Sequence, residues 1–183
     1  MTRSKRKYVI LGLLTLGVIT LDQFTKYTIT QRFRLNETIA ILGGFFNLTY
    51  IRNTGAAFGI LSHADPAFRI PFFVIVPIVA LGAITYIFRK IPAEDVKLST
   101  ALSLVIGGAI GNLIDRVLLG YVVDFLDFHY RFEYHFPAFN VADSAICVGV
   151  GILMLDLMLA KEGNDRQPQP EKKGPEVDAP PAH

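Results

Sequence analysis

Four long apolar stretches limit what this chain can fold into: about residues 8–29, 70–88, 98–116 and 139–160. Each approaches the ~20 apolar residues that a helix needs to cross a hydrocarbon core of ~30 Å. With 51% hydrophobic residues gathered in such runs, the chain is too apolar for an ordinary soluble domain. Four membrane helices are therefore expected. The second stretch contains Pro71 and Pro77, which membrane helices tolerate where neighbours satisfy the freed carbonyls.

Lys and Arg set the orientation, because they gather on the cytoplasmic side. Arg3, Lys5, Arg6 and Lys7 precede the first stretch; Arg89, Lys90 and Lys97 lie between the second and third; Lys161, Arg166, Lys172 and Lys173 follow the fourth. Four spans put all of these on one side, so both termini are expected to be cytoplasmic. The basic start also fits a secretory signal peptide, but no small-x-small site follows and the run leads into LDQFTK. Residues 162–183 are rich in Pro, Lys and Glu and read as a disordered cytoplasmic tail after a membrane domain over 1–161. The formal net charge of +2 says little, and no nucleic-acid partner is expected. The single cysteine, Cys147, excludes an intramolecular disulfide and reads as a small buried hydrophobe.

Two outer connections remain, about 30–69 and 117–138. The first holds TIAILGGFFNLTYIRNTGAAFGIL. Its β-branched and aromatic residues, broken by glycines, predict short strands in a small sheet on the outer membrane surface, with Phe45, Phe46, Tyr50 and Phe58 at the lipid interface. Gly107 and Gly111 form a G-x-x-x-G pair that permits close helix contact.

Polar residues inside or beside the spans carry the functional argument. At ~1.5 Å per residue, Asp22 and Asp143 lie in the outer third of the membrane. The third span brings Asn112, Asp115 and Arg116 to that level, three and four residues apart on one face. Asp22 and Lys26 suit an ion pair at the end of the first span, and Asp115 with Arg116 suits structural pairing. Asn140 is a good N-cap, and Asp143 three residues on completes a capping-box pattern. The competing reading of Asp143 is catalytic. Two close aspartates share a proton, so one activates water while the other polarises a carbonyl, without metal, cofactor or covalent intermediate. Asp124 and Asp127 are both candidate partners in VVDFLDF. If that stretch is extended they face opposite sides, and local pattern does not choose between them.

The main alternative is a small ion or proton transporter with intramembrane carboxylates as a relay. It would need polar residues near the middle of several spans, and the second and third lack them. A metalloprotease would need spacing such as H-E-x-x-H. His63, His129, His135 and His183 lie in expected loops or tail and read as surface residues. A serine mechanism through Ser144 is poorly supported.

Five segments in order resemble the bacterial lipoprotein signal peptidases, or signal peptidase II: LDQFTK (21–26), RNTGAAFG (52–59), GGAIGNLIDR (107–116), VVDFLDF (122–128) and FNVADSAI (139–146). The resemblance spans nearly the whole membrane part. It implies a mainly α membrane protein of four transmembrane helices with a small periplasmic β-sheet cradle and a short periplasmic helix. It implies an aspartyl endopeptidase of the bacterial inner membrane that cuts diacylglyceryl-modified prolipoproteins just before the lipidated cysteine. The family's dyad falls on Asp124 and Asp143, with Asp22, Lys26, Asn53, Gly55, Asn112, Asp115, Arg116 and Asn140 in support. No metal or cofactor is expected. Partners would be the prolipoprotein substrate, membrane lipid and globomycin-type inhibitors. One chain holds the whole set, so a monomer is expected. Asp124 is expected to hold the resting proton, since the helix N-terminus favours an anion at Asp143.

Overall fold

The computed structural model describes residues 3–55, 60–61, 63–130 and 134–165. The four apolar stretches form α1 (Arg3–Arg32), α2 (Pro66–Lys90), α3 (Val96–Leu119) and α4 (Val141–Asp165). Each is long and apolar enough to cross a membrane. The first three overrun the expected spans, because charged residues at span ends stay helical. The fourth starts two residues later than expected, because Asn140 caps it. Helix α4 also continues through 162–165, expected to be disordered; residues 166–183 lie outside the described residues.

Helix α3 is central and packs on α1, α2 and α4. Glycines permit the approach. A Cβ at Gly107 would lie 3.0 Å from Val18 of α1, and one at Gly108 would collide with the Ala142 carbonyl oxygen of α4. At Gly111 it would meet both neighbours, 2.8 Å from Asp22 Oδ2 and 3.2 Å from Ala142 Cβ. Gly149 on α4 answers from the other side, where a Cβ would lie 2.6 Å from the Ala101 carbonyl oxygen. At the opposite end of the bundle, buried Lys7 donates to the carbonyls of Phe88, Arg89 and Ile91 at 3.0–3.3 Å. A cation there complements the negative end of α2.

The connections form an antiparallel sheet in the order β1-β2-β3-β4: β1 (Thr38–Leu42), β2 (Phe46–Asn53), β3 (Val122–Tyr130) and the two-residue β4 (Tyr134–His135). Ile29 of α1, Tyr50, Val123 and Phe125 form a buried cluster that fastens it to the bundle. Tyr50 is therefore not an interface residue as expected: packed in this cluster, it is only 5% exposed. Phe45 is exposed, while Phe46 is half-buried with its ring 4.7 Å from that of Phe128; Phe58 lies outside the described residues. Between β2 and α2 the described residues contain no short helix, and residues 56–59 and 62 of that connection are outside them. Gly120 ends α3 at φ 78°, the left-handed conformation that glycine adopts without a Cβ penalty. The chain reverses there, four residues before Asp124, and enters β3 at Val122.

Candidate active site

The start of α4 organises the site. Asn140 Oδ1 accepts from the Asp143 amide at 2.9 Å, and Asp143 Oδ2 accepts from the Asn140 amide at 3.3 Å. This is the reciprocal capping box that the pattern predicts. The Asn140 side chain, fully buried, also reaches beyond its own helix. Its Nδ2 donates to Asp124 Oδ1 at 2.8 Å, to Asn112 Oδ1 at 3.1 Å and to the Val123 carbonyl at 3.3 Å.

Lys26 supplies the second anchor. Its ammonium lies 2.8 Å from Asp22 Oδ2, 3.0 Å from Asp115 Oδ2 and 2.9 Å from Asn112 Oδ1. All three charged groups are almost fully buried. Asp22 Oδ1 accepts from the Ala142 amide at 2.9 Å, and Asp115 Oδ2 from the Val123 amide at 3.0 Å. Gln23 bridges Asp22 and Asp115 at 3.3 and 2.9 Å. This cluster joins α1, α3, β3 and the mouth of α4 through hydrogen bonds that satisfy buried charge. The Asp22–Lys26 pair is present, but a turn and a half before α1 ends. Asp115 and Arg116 do not pair as expected. Successive helical residues point about 100° apart, so Asp115 turns to Lys26 and Gln23 of α1 and Arg116 to Gly55 and Phe73.

The cluster also fixes two amide groups. Lys26 and Asn140 both donate to Asn112 Oδ1, so Asn112 presents its NH2 to Asp143 Oδ1 at 2.7 Å. Asn53 Oδ1 accepts from the Gly55 amide at 3.0 Å, so its NH2 faces Asp124 Oδ2 at 3.0 Å. Amide orientation follows here from the network around it.

Asp124 and Asp143 line one cavity of about 440 Å³, with Asn53, Asn112 and Arg116 on the polar side and residues 136–139, Ile146 and Cys147 on the apolar side. Arg116 Nη2 donates to the Gly55 carbonyl at 3.1 Å, and its guanidinium lies 4.3 Å from the Phe73 ring centroid. Asp124 is 2% exposed. Burial, and then the charge of Asp143, push its carboxyl up to about 7, against the hydrogen bonds from Asn53 and Asn140 and the charge of Lys26. The Asp124 carboxyl therefore gains and loses its proton near neutral pH.

The family model described as Signal peptidase (SPase) II matches residues 14–159. The chain belongs to the signal peptidase II family. It is 49% identical over 154 residues to the lipoprotein signal peptidase of Geobacter sulfurreducens, covering 84% of this chain and 94% of that one. The lipoprotein signal peptidase of Haemophilus influenzae is 41% identical over 154 residues, 84% of this chain and 88% of its own. A bacterial membrane enzyme solved by the in meso method at 2.3 Å resolution superposes with a TM-score of 0.75 at 38% identity, covering 88% of this chain and 94% of that chain. The signal peptidase is thus a multi-pass membrane peptidase.

Every site residue singled out in the sequence of this signal peptidase falls in one connected set. Asp127, the rival to Asp124, does not: it lies nearer the other end of β3, where Asn47 Nδ2 donates to it at 2.8 Å. The strand is extended over both, so an odd separation sends them to opposite faces. Two further expectations fail. His129 is not on the surface but buried, with Nδ1 3.3 Å from Asn47 Nδ2, because β3 runs on through Tyr130. Cys147 is exposed, on the cavity wall one turn beyond Asp143. The third-span glycines pack against α1 and α4, as the G-x-x-x-G pair predicts. Gln23 escaped notice, although its place beside Asp22 in LDQFTK was a signal.

Proposed function

We propose that this signal peptidase releases signal peptides from prolipoproteins with Asp124 and Asp143 as its catalytic pair. The observation that carries this reading is Asn140. It holds Asp124 through its side chain and Asp143 through a capping box, at 2.8, 2.9 and 3.3 Å, on the wall of one cavity. Asp124 keeps the resting proton. Asp143, at the positive end of α4, stays ionised and takes a proton from water. The water oxygen bonds to the scissile carbonyl carbon as Asp124 passes its proton to the carbonyl oxygen. On collapse Asp143 gives its proton to the leaving nitrogen, and Asp124 recovers one from the diol. Both groups return to their starting state with no covalent intermediate.

Asn53 and Asn112 hold the two carboxylates, and the Lys26–Asp22–Asp115 cluster holds Asn112 and α4. Arg116 and Gly55 frame the polar wall that takes the substrate backbone. The substrate is the diacylglyceryl-modified form, cut just before the lipidated cysteine. A lipid anchor keeps that bond at the level of the sheet end of the bundle, where the cavity lies. This end faces the periplasm across the bacterial inner membrane, with both termini cytoplasmic and the chain acting as a monomer. Globomycin-type inhibitors occupy the same cavity.

The test is cleavage of a diacylglyceryl-modified prolipoprotein in detergent. Asp124→Asn and Asp143→Asn each abolish it, whereas Asp127→Asn retains substantial activity. Full activity in either dyad variant would refute the assignment.

A further inference from the structure

A second cavity, of about 400 Å³, opens behind the Lys26 cluster, between α1, α3 and the sheet. Arg52 is its polar feature. The guanidinium lies 4.8 Å from the Tyr121 ring centroid and 5.6 Å from that of Tyr50, and its Nε donates to the Tyr50 hydroxyl at 3.0 Å. Arg52 is nevertheless exposed, and among the described residues no carboxylate lies within ion-pairing distance of it. Asp115, the acidic residue on the cavity wall, is taken by Lys26 at 3.0 Å. One cation is thus held in place without a counter-ion.

The rim is of the opposite character. Tyr27 is 65% exposed and Leu118 74%, on the outward surfaces of helices that span the membrane. Leu118 also closes an apolar groove of about 290 Å³ that runs along α3 through Ile110, Leu113, Ile114 and Val117. These positions, at i, i+3, i+4, i+7 and i+8, share one helix face. An exposed cation held against two tyrosines near the last turn of a membrane helix, with an apolar groove down that helix meeting it at Leu118, matches an amphiphile with an anionic head and an alkyl chain.

We infer that this cavity and groove form a binding site for an anionic glycerophospholipid, with its phosphodiester on Arg52 and an acyl chain along α3. The guanidinium is suited to phosphate oxygens: the Tyr50 hydroxyl takes Nε, and the Nη groups remain as coplanar donors. The phenolic hydroxyls of Tyr27, Tyr50 and Tyr121 supply further donors. The site is separate from the Asp124–Asp143 cavity and does not depend on the reading of that cavity.

The full chain in detergent tests this by retention of three probes, read by native mass spectrometry: dioleoylphosphatidylglycerol, dioleoylglycerol and inorganic phosphate. The phospholipid is expected to bind about tenfold more tightly than dioleoylglycerol, the scale of one charge-assisted contact. Arg52→Gln removes that preference and Arg52→Lys keeps part of it. Val117→Trp fills the groove and weakens both lipids. Equal binding of the two lipids would refute the headgroup site and favour a neutral diacylglyceryl group as occupant. Displacement of the phospholipid by millimolar phosphate would refute the acyl groove. An unchanged preference in Arg52→Gln would overturn the role of Arg52. If that variant loses its helical circular dichroism, the lysine and tryptophan variants decide.

Discussion

Replacing Asn140 separates its two tasks. Asn140→Ala removes the N-cap of α4 and the 2.8 Å donor to Asp124. A lost cap costs about 1 kcal/mol and a lost buried hydrogen bond about 1 kcal/mol more, so the fold should lose about 2 kcal/mol. Asn140→Ser restores the cap, because serine accepts from the same amide, but it is too short to reach Asp124. It should recover about half of the lost stability and none of the lost activity. The pH profile gives the sharper reading. The Asn140 donor favours the ionised form of Asp124, whose carboxyl stands at about 7. Without it the proton is held to higher pH, so the alkaline limb of kcat/KM moves upward in both variants. The rate at the optimum should fall about 10²-fold, the scale of a misplacement near 1 Å. Cleavage of a lipidated prolipoprotein across pH, with SDS titration in mixed micelles for stability, measures both. A serine variant with wild-type rate and an unmoved limb would refute the reasoning.

Further outcomes follow from the same contacts. Lys26→Met leaves Asp22 and Asp115 buried at 0% and 3% exposure without their cation, and should destabilise by about 3–5 kcal/mol in the same titration. Gly108→Ala forces a methyl into the Ala142 carbonyl of α4 and should cost about 1–3 kcal/mol. At Gly151, with nothing within 4 Å of a new Cβ, alanine should instead stabilise α4 by up to about 1 kcal/mol. Cys147 is exposed on the cavity wall, so a maleimide should label it in detergent and globomycin should protect it. Mass spectrometry of the labelled chain checks this, and equal labelling with and without globomycin would place the inhibitor elsewhere.

Runs such as 70–88 were legible as spans because an uncharged stretch of that length has few other stable settings. Depth was legible too: rise per residue alone brought Asp22, Asn112, Asp115 and Asp143 to one level. The outer connections were harder. A strand side chain changes face with each residue, so a β3 extended to Tyr130 buries His129, which reads as a loop residue in sequence. Helix-facing direction was also hidden. Asp115 and Arg116 are neighbours in sequence, yet one faces Lys26 and the other Gly55.

What no spacing reveals is how many acceptor sites a carboxylate has left. An ionised carboxylate has about four. Asp22 uses three, for the Ala142 amide, Lys26 and Gln23, and is fully buried. Asp115 also uses three, for Gln23, Lys26 and the Val123 amide, and is 3% exposed. Each is left with about one free acceptor site. Among the described residues, Asp124 accepts only from Asn53 and Asn140, and Asp143 only from Asn112 and the Asn140 amide. Each keeps open valence on the wall of one cavity. Capping and catalysis therefore do not compete at Asp143. The capping box occupies one lone pair of Oδ2 and fixes the carboxylate's direction. The lone pairs left over are those a general base needs, and this separates the proposed catalytic pair from the two aspartates that hold the bundle together.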